Sequence, residues 1–177
     1  MGYVSDSETG RPGSGVMSLL AARRRHVDRL VNSGGAAGER LMGEFMSDWI
    51  KRPTGSAMKN LRGGLVLAGT PIAATSFDFI ALPPLCDLDL QDPTSIARWL
   101  PEMVFIELKT SNQSRVTSSF AGFFFSLTEK ELEAAEALGD RHRVVLFNAV
   151  TKATMWTSVP EILERSRSST WQLSIQL

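Results

Sequence analysis

Apolar positions change their period along the chain, and those changes mark out the elements. Over residues 16–32, Leu19, Leu20, Val27, Leu30 and Val31 recur at roughly helical spacing before Asn32-Ser33-Gly34-Gly35 breaks the pattern. Ala37, Leu41, Phe45 and Trp49 follow at intervals of four and predict a second helix over 36–50. Residues 53–64 read as a basic, flexible connection. Leu65-Val66-Leu67 and residues 77–82 then read as strands, the second stopped by Pro83-Pro84. Residues 85–102 form a long acidic excursion with one helical turn near 96–100. Residues 103–109 carry the clearest strand pattern, followed by a polar loop over 110–119 and a strand over 123–127.

Thr128-Glu129-Lys130-Glu131 is a capping box, in which the threonine side chain and the glutamate satisfy each other's backbone amides. Leu132, Ala135 and Leu138 line one face of the helix it starts, and Gly139 is placed to end it. Residues 144–150 are nearly all apolar, as a buried strand is. A short helix at 160–165 and a strand at 171–175 close the pattern. The succession predicts a mixed α/β domain over 16–177, with helices at 16–50, a core at 63–150 and a closing helix and strand at 151–177. Residues 1–15 mix Gly, Ser, Pro and charge, and read as a disordered leader.

Composition narrows the chemistry. In 177 residues, 43% hydrophobic and 21% charged side chains fit a soluble globular protein. Nineteen basic and 19 acidic residues cancel, which argues against binding driven by bulk charge. The balance is uneven, however: residues 1–62 hold 10 basic and 6 acidic side chains, and residues 63–109 hold 2 and 6. A lone cysteine, Cys86, excludes an intrachain disulfide or a multi-cysteine zinc site. Two histidines, His26 and His142, are too few for a histidine cluster, and His142 reads as a surface residue starting a strand. No apolar run approaches the roughly 18 residues of a membrane helix, and the first 15 residues lack the apolar core of a signal peptide. A cytoplasmic setting is the default expectation.

Within strand 103–109, side chains alternate, so Glu107 and Lys109 project from one face while Val104, Ile106 and Leu108 enter the core from the other. Asp78 sits between Phe77 and Phe79, where core packing prefers an apolar group. If the two strands pair, Asp78 lies beside Glu107 and Lys109. Such a trio suits metal-assisted phosphodiester hydrolysis. Asp78 and Glu107 would hold Mg²⁺, for which Mn²⁺ can substitute, and the Leu108 carbonyl would add a third hard oxygen ligand. Lys109 would orient the attacking water and stabilise charge in the transition state. The competing reading is a solvated strand face with an ordinary ion pair.

Asp78, 28 intervening residues, then Glu107-Leu108-Lys109 resembles the signature of the PD-(D/E)xK nuclease superfamily. Downstream, Phe125-Ser126-Leu127-Thr128-Glu129-Lys130-Glu131-Leu132-Glu133, then Gly139-Asp140-Arg141-His142-Arg143-Val144 and Phe147-Asn148, are similar to the nuclease-like domain at the C-terminus of the plant NO VEIN protein, also found in bacterial restriction-associated proteins. The resemblance spans residues 36–150. It implies a restriction endonuclease-like fold, a mixed central β-sheet flanked by helices, and a Mg²⁺-dependent endonuclease acting on DNA. The partners it implies are DNA and a second copy, or a larger defence, restriction or repair complex. Phe77 stands where the signature has proline, and residues 85–100 form an insertion.

Gly38-Glu39 matches a Gly-Glu pair on an early helix of that family. Glu39 is thereby a candidate third acidic ligand or water-orienting group, with a plain helix-surface glutamate as the alternative. Glu44 and Asp48 are weaker candidates on the same predicted helix. Gln113, four residues after Lys109, is either a polar active-site residue or part of an ordinary loop. Arg23, Arg24, Arg25 and Arg29 form a basic helix face that either contacts phosphates or is merely solvated. Asp87, Asp89 and Asp92 fail the calcium-loop pattern, since Asp92 and Arg98 stand where glycine and glutamate are required. The tryptophans read as core. The rival to a nuclease is a nuclease-like module that has lost catalysis and binds nucleic acid or a partner protein.

Overall fold

The computed structural model describes residues 38–166, apart from Leu41, Glu44, Phe45, Ser47, Arg115, Thr117 and Ser118. The leader, the helix at 16–32 with its four arginines, and the strand at 171–175 lie outside the described residues, as does Glu44. Five strands form one sheet in chain order: β1 (Trp49–Lys51), β2 (Phe79–Ala81), β3 (Val104–Ser111), β4 (His142–Asn148) and β5 (Thr154–Thr157). The sheet is mixed. β1, β2 and β3 run antiparallel to one another, β3 and β4 are parallel, and β5 is antiparallel to β4. A parallel pair needs a crossover, and the chain between β3 and β4 supplies it with a helix. The helices are α1 (Gly55–Leu67), α2 (Pro93–Trp99), α3 (Glu129–Leu138) and α4 (Val159–Arg165). The expected α/β class and mixed, helix-flanked sheet are therefore present.

Alternation along β3 divides the core. Phe105 joins Ile80 of β2, Leu61 and Leu65 of α1, Ile96 of α2 and Leu138 of α3 on one face. Ile106 and Leu108 join Phe79, Val145, Phe147 and Met42 on the other. Val144 and Leu146 of β4 extend the first face toward Phe120 and Val159, with Leu132 and Ala135 of α3 packed above them. Helix α3 thus lies across the face that carries Glu107 and Lys109.

Several elements differ from the sequence pattern. The connection at 53–64 and the strand at 65–67 are one helix, α1. Met58, Leu61 and Leu65 fall three or four apart and point into the core, whereas Val66 and Leu67 are exposed. A three-residue apolar run carries no period of its own, so it reads equally well as strand or helix. The helix expected over 36–50 is cut short. Helical residues are described at 38–40 and 42–43, and Trp49 instead pairs with Ala81 in the sheet. Trp49 also stacks against Phe79 and Trp156; Trp156 is itself 45% exposed, not core.

Residues 123–127 carry no strand, because Phe123 and Phe125 spend their apolar surface on the core beside Phe120. Strand β5 had no alternating signal. The acidic excursion folds: Asp92 caps α2 by accepting from Thr94 and Ser95 N–H at 2.9 and 3.1 Å, and Asp87 accepts from Trp99 Nε1 at 2.9 Å. Capping boxes start both α3, as expected, and α4. Among the described residues no helix is long and apolar enough to cross a membrane.

Candidate active site

The register of β2 against β3 sets Phe79 opposite Ile106, which brings Asp78 opposite Glu107. The pairing on which the trio depends is thus formed. Asp78 N–H donates to the Ile106 carbonyl and Arg52 N–H donates to the Asp78 carbonyl, both at 2.7 Å. β2 begins only at Phe79, so next to it the ladder is completed by a side chain: Leu108 N–H donates to Asp78 Oδ2 at 3.0 Å. The N–H and C=O of one strand residue face the same edge. The Leu108 carbonyl therefore lies on the edge that Asp78 occupies. Arg52 Nη1 donates to the Phe77 carbonyl at 2.9 Å and sits 3.6 Å from Asp78 Oδ1.

On the same face, Lys109 Nζ donates to Glu107 Oε1 at 2.9 Å and to Glu131 Oε2 at 3.0 Å. Neither glutamate reaches solvent appreciably: the Glu107 and Glu131 side chains are 8% and 7% exposed, and Lys109 is 14% exposed. A solvated strand face is not what the chain builds here.

Burial raises Asp78 above the usual carboxylate range, against the opposing pull of the Leu108 amide. The Glu39 charge pushes Asp78 up further, while Arg52 and Lys109 pull it down. Glu107 is pushed up to about 8, chiefly by burial; the Lys109 ammonium opposes this, and the Asp78 and Glu131 charges add to it. Burial would lower Lys109, but the Glu107 and Glu131 carboxylates more than compensate and hold it above the usual lysine value. The physical content is a surplus of buried carboxylate. Asp78, Glu107 and Glu131 share one ammonium and one peripheral guanidinium, and the surplus negative charge favours a proton or a cation.

Glu39 is brought to the neighbourhood. It forms an ion pair with Lys51 at 3.2 Å, and its charge is felt at Asp78. Its neighbour Gly38 packs so closely on β3 that an added Cβ would lie 2.6 Å from Thr110 Cγ2. Gly38→Ala is expected to cost ~1–3 kcal/mol by overpacking, read as a shift in the urea midpoint without a change in slope. Gln113 is exposed in the loop after β3, its N–H donating to Ser111 Oγ and its carbonyl accepting from Asn148 Nδ2. Asp48 is exposed in the turn before β1.

His142 corrects the expectation of a surface residue. It is 1% exposed and paired with Phe105 at the start of β4, and neither ring nitrogen makes a well-formed hydrogen bond among the described residues. Burial lowers its pKa; a weak interaction with the Ser76 backbone opposes this.

Arg52 and Glu131 are the site residues that sequence reasoning missed. Arg52 belongs to no local pattern. Glu131 was legible only as a capping residue, and its contact with Lys109 exists because α3 crosses β3.

Among the described residues, no three His, Cys, Asp or Glu side chains are grouped so as to hold a metal ion. A divalent cation would rest on the Asp78 and Glu107 carboxylates and the Leu108 carbonyl. That is a set of hard oxygens suited to Mg²⁺, amid surplus carboxylate. Comparison with protein-family models, curated proteins and solved structures gives no match to this chain.

Proposed function

We propose that this chain is a Mg²⁺-dependent nuclease of restriction endonuclease-like fold that hydrolyses phosphodiester bonds in DNA. The observation that carries the reading is the register of β2 on β3, which sets a half-buried aspartate opposite a buried glutamate with Lys109 on the same face. Three carboxyl groups, Asp78, Glu107 and Glu131, stand against the two cations Lys109 and Arg52, so carboxyl is in excess. Asp78, Glu107 and the Leu108 carbonyl would hold the cation. When bound, the cation would lower the pKa of water and neutralise charge on the phosphate. Lys109 would orient the attacking water by hydrogen bonding, its position set by two carboxylates. Arg52, half-buried at the rim, would meet the phosphate backbone. Glu39 stands further out and modulates Asp78 through its charge.

Protons and cations compete for Glu107, so Mn²⁺ affinity is expected to rise with pH up to about 8. The test is incubation with plasmid, linear, single-stranded and branched DNA with Mg²⁺, Mn²⁺ or EDTA, alongside calorimetric Mn²⁺ titration at pH 6 and 8. Metal-dependent cutting, with tighter binding at pH 8, is the expected result. No cutting and no metal binding would sink the reading in favour of an inactive nuclease-like module. A double-strand cut takes two such sites, and light scattering would identify the homodimer that this requires of a protein acting alone.

A further inference from the structure

We propose that Glu131 is a positioning residue for Lys109: the carboxylate that closes the N-terminal cap of α3 also holds the ammonium over the site. One oxygen does both. Glu131 Oε2 accepts from Thr128 N–H at 2.9 Å and from Lys109 Nζ at 3.0 Å.

The second capping box shows that capping does not require this placement. In α4, Glu161 makes the same reciprocal bonds with Ser158, yet its side chain is exposed. Glu131 is instead buried, which an ionisable side chain rarely is unless paired. Its partner lies 22 residues earlier, on another element. The two anchors of Lys109 also differ in their other duties. Glu107 shares the Asp78 edge where the cation would sit, whereas Glu131 stands on α3 and bonds the cap amide and the ammonium. Glu131 thus keeps Lys109 in place whether or not Glu107 is engaged as a ligand. Resting on the nuclease reading, this makes the first turn of α3 part of the working site.

Glu131→Gln separates the two roles, because glutamine still closes a capping box but carries no charge. Thr128→Ala does the reverse, removing the hydroxyl cap and leaving the carboxylate. The readout is amine acetylation of Lys109 in the metal-free protein at fixed pH, followed by peptide mass spectrometry, with exposed Lys59, Lys130 and Lys152 as internal standards. Lys109 is expected to react about tenfold faster in E131Q, the equivalent of one lost hydrogen bond to a charged group. Glu131→Asp, which keeps the charge, should fall nearer the wild type. T128A should lower the thermal midpoint and leave the Lys109 rate unchanged. Equal Lys109 rates in wild type and E131Q would overturn the proposal, as would a T128A effect as large as that of E131Q. Neither DNA nor metal enters this measurement, so a wild type that cuts nothing defeats the nuclease reading alone. Where cleavage is present, E131Q should lower kcat with little change in KM.

Discussion

Lys109→Met is expected to abolish DNA cleavage and to cost about 3–5 kcal/mol of folding stability at neutral pH. Methionine fills much of the volume of the lysine stem, so the loss would not be one of packing. It comes from leaving the Glu131 carboxylate buried without its ammonium, and from taking from Glu107 its hydrogen-bond donor. The penalty should grow as pH rises through about 8, where Glu107 ionises as well. Adding Glu107→Gln and Glu131→Gln to Lys109→Met should recover most of the stability without recovering activity. Denaturant unfolding of the single and combined variants measures the coupling directly. A K109M protein as stable as the wild type at pH 7 would mean that the buried ion-pair network is not formed.

Glu107→Gln is expected to lose cleavage by at least about 10²–10³-fold, the scale seen when an electrostatic group is removed from an active site, yet to be no less stable at pH 7. Its folded pKa, about 8, lies above the ordinary 4.5. A carboxyl raised in this way contributes its full stability below the unfolded value. That contribution is lost as pH rises through the folded one. The wild type should therefore lose stability between about pH 4.5 and pH 8, by at most ~1.4 kcal/mol per unit from this group. Asp78, also raised, acts in the same direction. Glutamine mimics the neutral carboxyl, so E107Q should show a flatter profile and overtake the wild type on the alkaline side. Added Mn²⁺ should raise the wild-type Tm more at pH 8 than at pH 6 and leave E107Q unmoved. Thermal melts across pH, with and without Mn²⁺, test the stability claims, and plasmid cleavage tests the rest. A variant that melts below the wild type at pH 8 would refute the raised Glu107.

Some elements were legible because their signals are local. The capping box at Thr128 and Glu131 and the alternation through β3 depend on residues within a few positions of one another, and both appear as read. Leu65-Val66-Leu67 misleads for the converse reason. Only the packing of α1 against Ile96 and Phe77 decides which of its apolar side chains is buried. The phenylalanines of 120–125 look like strand residues by composition, but they serve the core from a loop.

The sequence by itself determined the class, the elements β3, α3, β4 and α4, and the presence of Asp78, Glu107 and Lys109 as an unusual set on apolar strands. It determined no register. A two-residue slip between β2 and β3 would have kept every side chain on its face while moving Asp78 away from Glu107. Tertiary structure alone decided that Asp78 meets the Leu108 amide, that Arg52 closes the edge, and that α3 lays Glu131 against Lys109. Strand alternation and helix capping are set by near neighbours in the chain. The site is set by burial, which turns charges tens of residues apart into partners that water no longer screens.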